Sequence, residues 1–240
     1  WWRSLGRNKK SVTANLRTER GREVLRRLLL DADVVIENFK PGTMEKWGLG
    51  PEHIKPHNPQ LIYTRISGYG QSGPYSSKPG YASVTEAFSG FRYLNGYPED
   101  VPVRPNLSLG DSVAGVHAAL GILLALLARK NSQQGQVIDV ALYEAMFNLM
   151  EGVVPEYDGA GAVREPAGST LTGIVPTNTY LCRDGKHVVI GGNGDSIYAR
   201  LMTAIGREDL ATDPALGSNA GRVEQQELID AAIGGWTSAH

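Results

Sequence analysis

The chain of 240 residues holds one cysteine, Cys182, which excludes an intrachain disulfide and a multi-cysteine zinc site. That usage fits a reducing compartment, so the cytoplasm is the expected location. A mitochondrion or a peroxisome stays open, because the N-terminus looks missing. An excess of charge of one sign is lacking too. Lys and Arg total 24 against 25 Asp and Glu, a formal charge of −1, so no global field is available to hold nucleic acid or an acidic membrane surface. An anionic ligand must be caught by local basic groups. No apolar run reaches the ~20 residues needed to cross a bilayer. The longest, Ala118 to Ala128 with one glycine, reads as a buried helix. The histidines His53, His57, His117, His187 and His240 show no zinc-ligand spacing, so no metal site is expected. Neither a signal peptide nor an internal repeat is visible. Both ends look cut, the first on Trp1-Trp2-Arg3 and the last within a helix pattern, and a fragment is expected.

What is present alternates. Val12 to Leu16 reads as a short strand, and Thr18 as the cap of a helix with Val24, Leu25, Leu28 and Leu29 at helical spacing. Asp33 to Phe39 suits a strand buried on both faces of a parallel sheet. A short helix from Met44 to Trp47 and a strand from Leu61 to Ser67 follow. This order predicts an α/β fold with parallel strands and right-handed crossovers, and ligands beyond the strands' carboxyl ends. After a loop from Gly68 to Gly80 rich in Gly, Ser and Pro come helices from about Ala82 to Tyr93 and Ser112 to Lys130, then a strand at Gln136 to Val140 and a helix at Tyr143 to Met150. Pro155 to Thr172 reads as a linker. Thr177 to Cys182 and Lys186 to Gly191 make a hairpin, and helices near Ser196 to Ile205 and Val223 to Ile233 complete a smaller α+β domain.

Asp111 stands where the longest helix begins. Free backbone N–H groups and the helix dipole stabilise an ionised carboxylate there, so its local reading is an N-cap. Gly110 and Gly115 leave space at the backbone, and the apolar helix behind implies a dry site. The basic cluster Arg7, Lys9, Lys10 and Arg17 reads either as a phosphate site or as a solvated surface, while Lys40 and Lys46 lie just past a strand, where a phosphate-bearing ligand would pass. Gly191-Gly-Asn-Gly fails as a dinucleotide fingerprint, because the third glycine would fall on Ile197.

Five blocks in order resemble the class III CoA-transferases: Arg7-Asn-Lys-Lys-Ser-Val, Asp33-Val-Val-Ile-Glu-Asn-Phe-Lys-Pro-Gly, Tyr69-Gly-Gln-Ser-Gly-Pro, Leu109-Gly-Asp-Ser-Val-Ala-Gly and Gly135-Gln-Val-Ile-Asp-Val. The resemblance implies a Rossmann-like CoA-binding large domain, residues 1–154, a linker at 155–168, a small domain at 169–240 and an interlocked homodimer. It implies acyl-CoA and carboxylic acid substrates and no permanently bound cofactor. Residue by residue, it puts the nucleophile on Asp111 and CoA contacts on Ala14, Asn15, Leu16, Arg17, Asn38, Phe39, Lys40, Lys46, Pro79, Gly80, Tyr81 and Ala82. A glycine-rich active-site loop is expected, with Gly168 to Gly173 as the candidate stretch. The related α-methylacyl-CoA racemases need a histidine thirty residues before the aspartate, and here that position is Tyr81. A phenol with a pKa near ~10 is a poor base but a good donor to an acyl oxygen. A transferase is therefore expected, with a racemase or a non-catalytic CoA-binding subunit as the alternatives.

Overall fold

Turn chemistry displaces the first expected strand. In the computed structural model, which describes all 240 residues, 11–15 lie between helices α1 (Trp2–Leu5) and α2 (Glu19–Asp31) without a strand partner. The side chain of Asn15 accepts from the Arg17 N–H at 3.1 Å, its carbonyl accepts from the Thr18 hydroxyl, and Arg22 donates to the carbonyls of Leu16 and Arg17. Such local bonds offer the backbone an alternative to a ladder. Thr18 caps α2 as its position predicts, accepting the Gly21 N–H at 3.1 Å.

The chain forms two compact units, 1–91 with 105–151 and 92–104 with 152–240. The first holds a parallel sheet in the order β1 (Val34–Glu37), β2 (Ile62–Ser67), β3 (Val137–Ala141), with Val34 opposite Ile62 and Ser67 opposite Ala141. The parallel α/β architecture expected from the alternation is therefore present. Between β1 and β2 lie α3 (Thr43–Lys46) and the unanticipated turn α4 (Pro51–Ile54). One core packs Leu29, Met44, Leu49, Ile54, Leu61 and Tyr63 beneath them. β1 ends the sheet, so the expectation of burial on both faces fails: Ile36 is 59% exposed.

The helix expected from Ala82 to Tyr93 breaks at Ser89-Gly90 into α5 (Ala82–Phe88) and α6 (Phe91–Leu94). Helix α7 (Leu109–Ser132) corrects two further expectations. It begins three residues early, with Ser108 as N-cap, so Asp111 sits inside the first turn rather than capping it. Its buried residues are the small ones, Gly110, Ala114, Ala118 and Ala125, while Val116, Leu120, Leu123, Leu124 and Leu127 are exposed. Alanines at successive turns let the helix lie close on the sheet, and the bulky residues consequently face away. Length and composition alone would let α7 cross a membrane; one face of it is buried, where Ala114 and Ala118 pack with Val140, Leu142 and Ala145. Helix α8 (Leu142–Phe147) follows β3 directly.

In the second unit the first six residues of the expected linker belong to α9 (Val153–Ala160). Pro155 is its third residue, where a missing N–H breaks no intrahelical bond. The hairpin forms as expected, β4 (Thr177–Leu181) antiparallel to β5 (His187–Gly191). Helices α10 (Asp195–Ala204), α11 (Glu208–Ala211), α12 (Asn219–Glu224) and α13 (Gln226–Ala239) complete the unit; the last two meet at Gln225, where one continuous helix was expected. Their core gathers Val175, Tyr180, Tyr198, Met202, Leu210, Leu216, Ile229 and Ile233.

Candidate active site

The carboxyl ends of β1 and β2 are tied together by charge. Arg65 on β2 donates from Nε to Glu37 Oε1 at 2.8 Å and from its two terminal nitrogens to the Glu45 carboxylate at 2.6 and 3.2 Å. The other Glu37 oxygen accepts the Phe39 N–H at 2.8 Å, which turns the chain out of β1. Phe39 then meets Trp47 edge to face, with centroids 5.2 Å apart. Charge-assisted, bidentate bonds of this kind hold geometry as well as energy. The loop Asn38-Phe39-Lys40-Pro41 is thus clamped to the sheet.

Burial by itself would raise the Glu45 carboxyl, but the Arg65 hydrogen bonds, a backbone hydrogen bond and the charges of Arg65 and His53 together outweigh it and keep the group below the usual carboxylate range. Burial also works against the Arg65 charge, and the bonds to Glu45 and Glu37 more than offset it, leaving the guanidinium more basic than usual. Because the folded pKa of Glu45 is depressed, its contribution to stability is present above the unfolded value and is lost as pH falls through the folded one. A carboxyl NMR titration should give Glu45 a midpoint below 4.5, moving up in Arg65→Lys; a wild-type midpoint at or above 4.5 would contradict the clamp.

The loop from Gly68 to Gly80 closes on itself. A Cβ on Gly68 would come within 2.6 Å of the Gly80 Cα, so only glycine permits the two backbones to touch. Tyr69 and Tyr75 of the loop cluster with Phe88 of α5 and Tyr143 of α8 in tilted and edge-to-face contacts, with centroids 5.2 to 5.9 Å apart. Asp139 on β3 anchors it by accepting the Gln71 N–H at 2.7 Å. Lys78 lies 3.9 Å from the Tyr75 ring centroid, a cation-π contact that holds the ammonium. The loop delivers Pro79, Gly80 and Tyr81 to the start of α5.

A cavity of about 330 Å³ opens beyond the carboxyl ends of the strands. Asn38, Phe39, Lys40, Lys78, Pro79, Gly80, Tyr81 and Asp111 all line it. Tyr81 is 79% exposed and Asp111 is exposed, so the dry environment inferred from the apolar helix is not present in this chain. Ala14, Asn15, Leu16 and Arg17 lie outside the cavity in the turn before α2, and Lys46 is exposed on α3. Ala82 is buried 3.2 Å from where a Cβ on Gly110 would sit. Ser67 and Gly68, the carboxyl end of a strand where the sequence places a ligand, line the cavity as expected, whereas Lys78 lines it and was not singled out; the signal for it was the loop's bounding glycines. Gly168 to Gly173 falls in the second unit, where the Gly168 N–H donates to the Gly96 carbonyl at 2.8 Å.

Parallel strands, a cavity beyond their carboxyl ends and two lysines facing it define an α/β ligand-binding domain of the open-sheet class. The chain belongs to CoA-transferase family III, whose model matches residues 1–240. It is 47% identical over 237 residues to the succinyl-CoA–D-citramalate CoA-transferase of Chloroflexus aurantiacus, covering 99% of this chain and 59% of that one. It is 39% identical to the alpha subunit of a succinyl-CoA–L-malate CoA-transferase from the same organism, covering 99% and 56%. A CAIB/BAIF family protein from Brucella suis superposes with a TM-score of 0.81 at 35% identity, covering 97% of this chain and 61% of that one. The chain thus spans well under two thirds of each of these proteins.

Proposed function

We propose that the protein moves CoA from an acyl-CoA to a carboxylic acid, with Asp111 as the covalent relay. The observation that carries this is the position of Asp111 in the first turn of α7, on the same cavity as Asn38, Phe39, Lys40 and Tyr81. An Asp111 oxygen attacks the thioester carbonyl and the C–S bond breaks, giving an aspartyl mixed anhydride and CoA thiolate. The thiolate attacks the aspartyl carbonyl and the donor leaves as its carboxylate. The acceptor carboxylate then displaces CoA from the aspartyl thioester, and the thiolate takes the new acyl group, releasing Asp111. No net proton is consumed, and four easier acyl transfers replace one hard exchange. Tyr81 and nearby N–H groups stabilise the tetrahedral oxyanions.

Lys40 lines the cavity, while exposed Arg17 and Lys46 take phosphates of a ligand longer than the cavity itself. Ala14 to Leu16 and Pro79 to Ala82 supply backbone contacts to CoA. The relatives named for citramalate and malate support succinyl-CoA as donor and a hydroxylated dicarboxylic acid as acceptor. A second copy of the chain covers the exposed leucine face of α7 and makes the homodimer. Tyr81, in place of a basic histidine, disfavours the racemase alternative. Full-length protein should exchange CoA between succinyl-CoA and citramalate or malate, and light scattering should give twice the chain mass. Deuterium exchange at the α carbon without an acid acceptor would instead favour the racemase. CoA binding with no exchange on any acid would leave the non-catalytic reading, and a monomer would remove the dimer.

A further inference from the structure

Glu86 on α5 is 0% exposed, and its Oε1 accepts the Gly110 N–H at 3.1 Å. Gly110 is the second residue of α7, so that N–H is one of the four that a helix start leaves without an internal acceptor. The N-cap side chain, Ser108, makes no capping bond, and Glu86 supplies one from another helix. The helices meet closely at this point. A Cβ on Gly110 would lie 3.2 Å from the Ala82 Cβ and 3.4 Å from the Glu86 Cγ. Tyr81 is the N-cap of α5, and Asp111 follows Gly110 directly. One buried carboxylate therefore joins the helix that starts at Tyr81 to the turn that bears Asp111.

We propose that Glu86 is a positioning residue that fixes the Asp111 carboxylate relative to Tyr81 for attack on the thioester, an inference that rests on Asp111 being the nucleophile. Glu86 does not line the cavity and acts through Gly110. An apolar side chain at this buried point could not accept the Gly110 N–H, which Glu86 Oε1 does at 3.1 Å. The acceptor oxygen is what α7 needs.

The test uses full-length protein with Glu86→Leu, Glu86→Gln and Gly110→Ala, and Asp111→Ala as reference. Glu86→Leu should lower kcat and the single-turnover rate of Asp111 acylation roughly 10²-fold, the scale of an ångström-level misplacement, with KM for acyl-CoA little changed. Glu86→Gln, whose amide oxygen accepts the same N–H, should restore most of the rate. Gly110→Ala keeps Glu86 but crowds Ala82, and should show the same kcat-specific loss; it decides the matter if Glu86→Leu does not fold. Wild-type kcat in folded Glu86→Leu or in Gly110→Ala, or a Glu86→Gln enzyme as slow as a folded Glu86→Leu, would overturn the positioning role. Turnover in Asp111→Ala would instead defeat the nucleophile itself.

Discussion

Asp111→Ala should lower turnover by on the order of 10⁴-fold or more, the scale seen when a covalent nucleophile is removed. The affinity for CoA should change little. Two features of the site make these effects separable. The carboxylate that would form the bond comes from α7, whereas the loop 38–41 is held by Glu37, Arg65 and the Phe39 N–H, none of which contacts Asp111 in the hydrogen-bond network. Removing the carboxylate leaves that clamp intact. Asp111→Asn, which keeps the shape but cannot form the anhydride, should be as inactive as alanine. Steady-state kinetics alongside calorimetric CoA binding checks both: a variant that loses binding and rate together would mean that Asp111 holds ligand rather than carrying the acyl group.

Arg222→Met should destabilise the second unit by about 3–5 kcal/mol, because three carbonyls lose their buried donor at about 1–3 kcal/mol each. Arg222 is 0% exposed. Its guanidinium donates to the Val175 carbonyl at 3.0 Å, the Leu216 carbonyl at 3.0 Å and the Asn193 carbonyl at 2.7 Å, and lies 4.9 Å from the Tyr198 ring centroid. A further bond reaches Asp195 Oδ1 at 2.8 Å, but that carboxylate is largely exposed, so the ion pair itself contributes little. The cost comes from carbonyls left without donors beside the core that β4, α10 and α13 share. Methionine fills much of the volume and donates nothing, which isolates the hydrogen-bonding part of the effect. Urea unfolding should show a transition moved to lower denaturant, and an unchanged midpoint would contradict this assignment.

The sheet was legible because its strands are short apolar runs bounded by turn residues, and Thr18 announced α2 with a cap that any helix start can use. The strand expected at Val12 to Leu16 had the right composition, but nothing local says whether a partner edge exists, and Asn15 offered the backbone a turn instead. For α7, apolar residues on every side hid the distinction that mattered: the alanines lie against the sheet and the leucines do not. A run of Gly, Ala and Pro read as linker because α9 contains weak helix formers. Within the site, Asn38 to Lys40 and Asp111 could be singled out because their motif blocks sit at a strand end and a helix start, Pro79 to Tyr81 came only from the family resemblance, and all of them line one cavity. Lys78 lacked a motif of its own. Glu86 and Arg222 were beyond reach, since a charged residue in a helix reads as solvated until tertiary packing buries it.

The covalent relay is tested most directly at Asp111 itself. Full-length protein incubated with succinyl-CoA and then quenched with hydroxylamine should yield, on peptide mass spectrometry, a hydroxamate at Asp111, formed from the anhydride or the aspartyl-CoA thioester. The mark should depend on succinyl-CoA and should be lost in Asp111→Ala. An unmodified Asp111 in protein that is actively exchanging CoA would contradict the account.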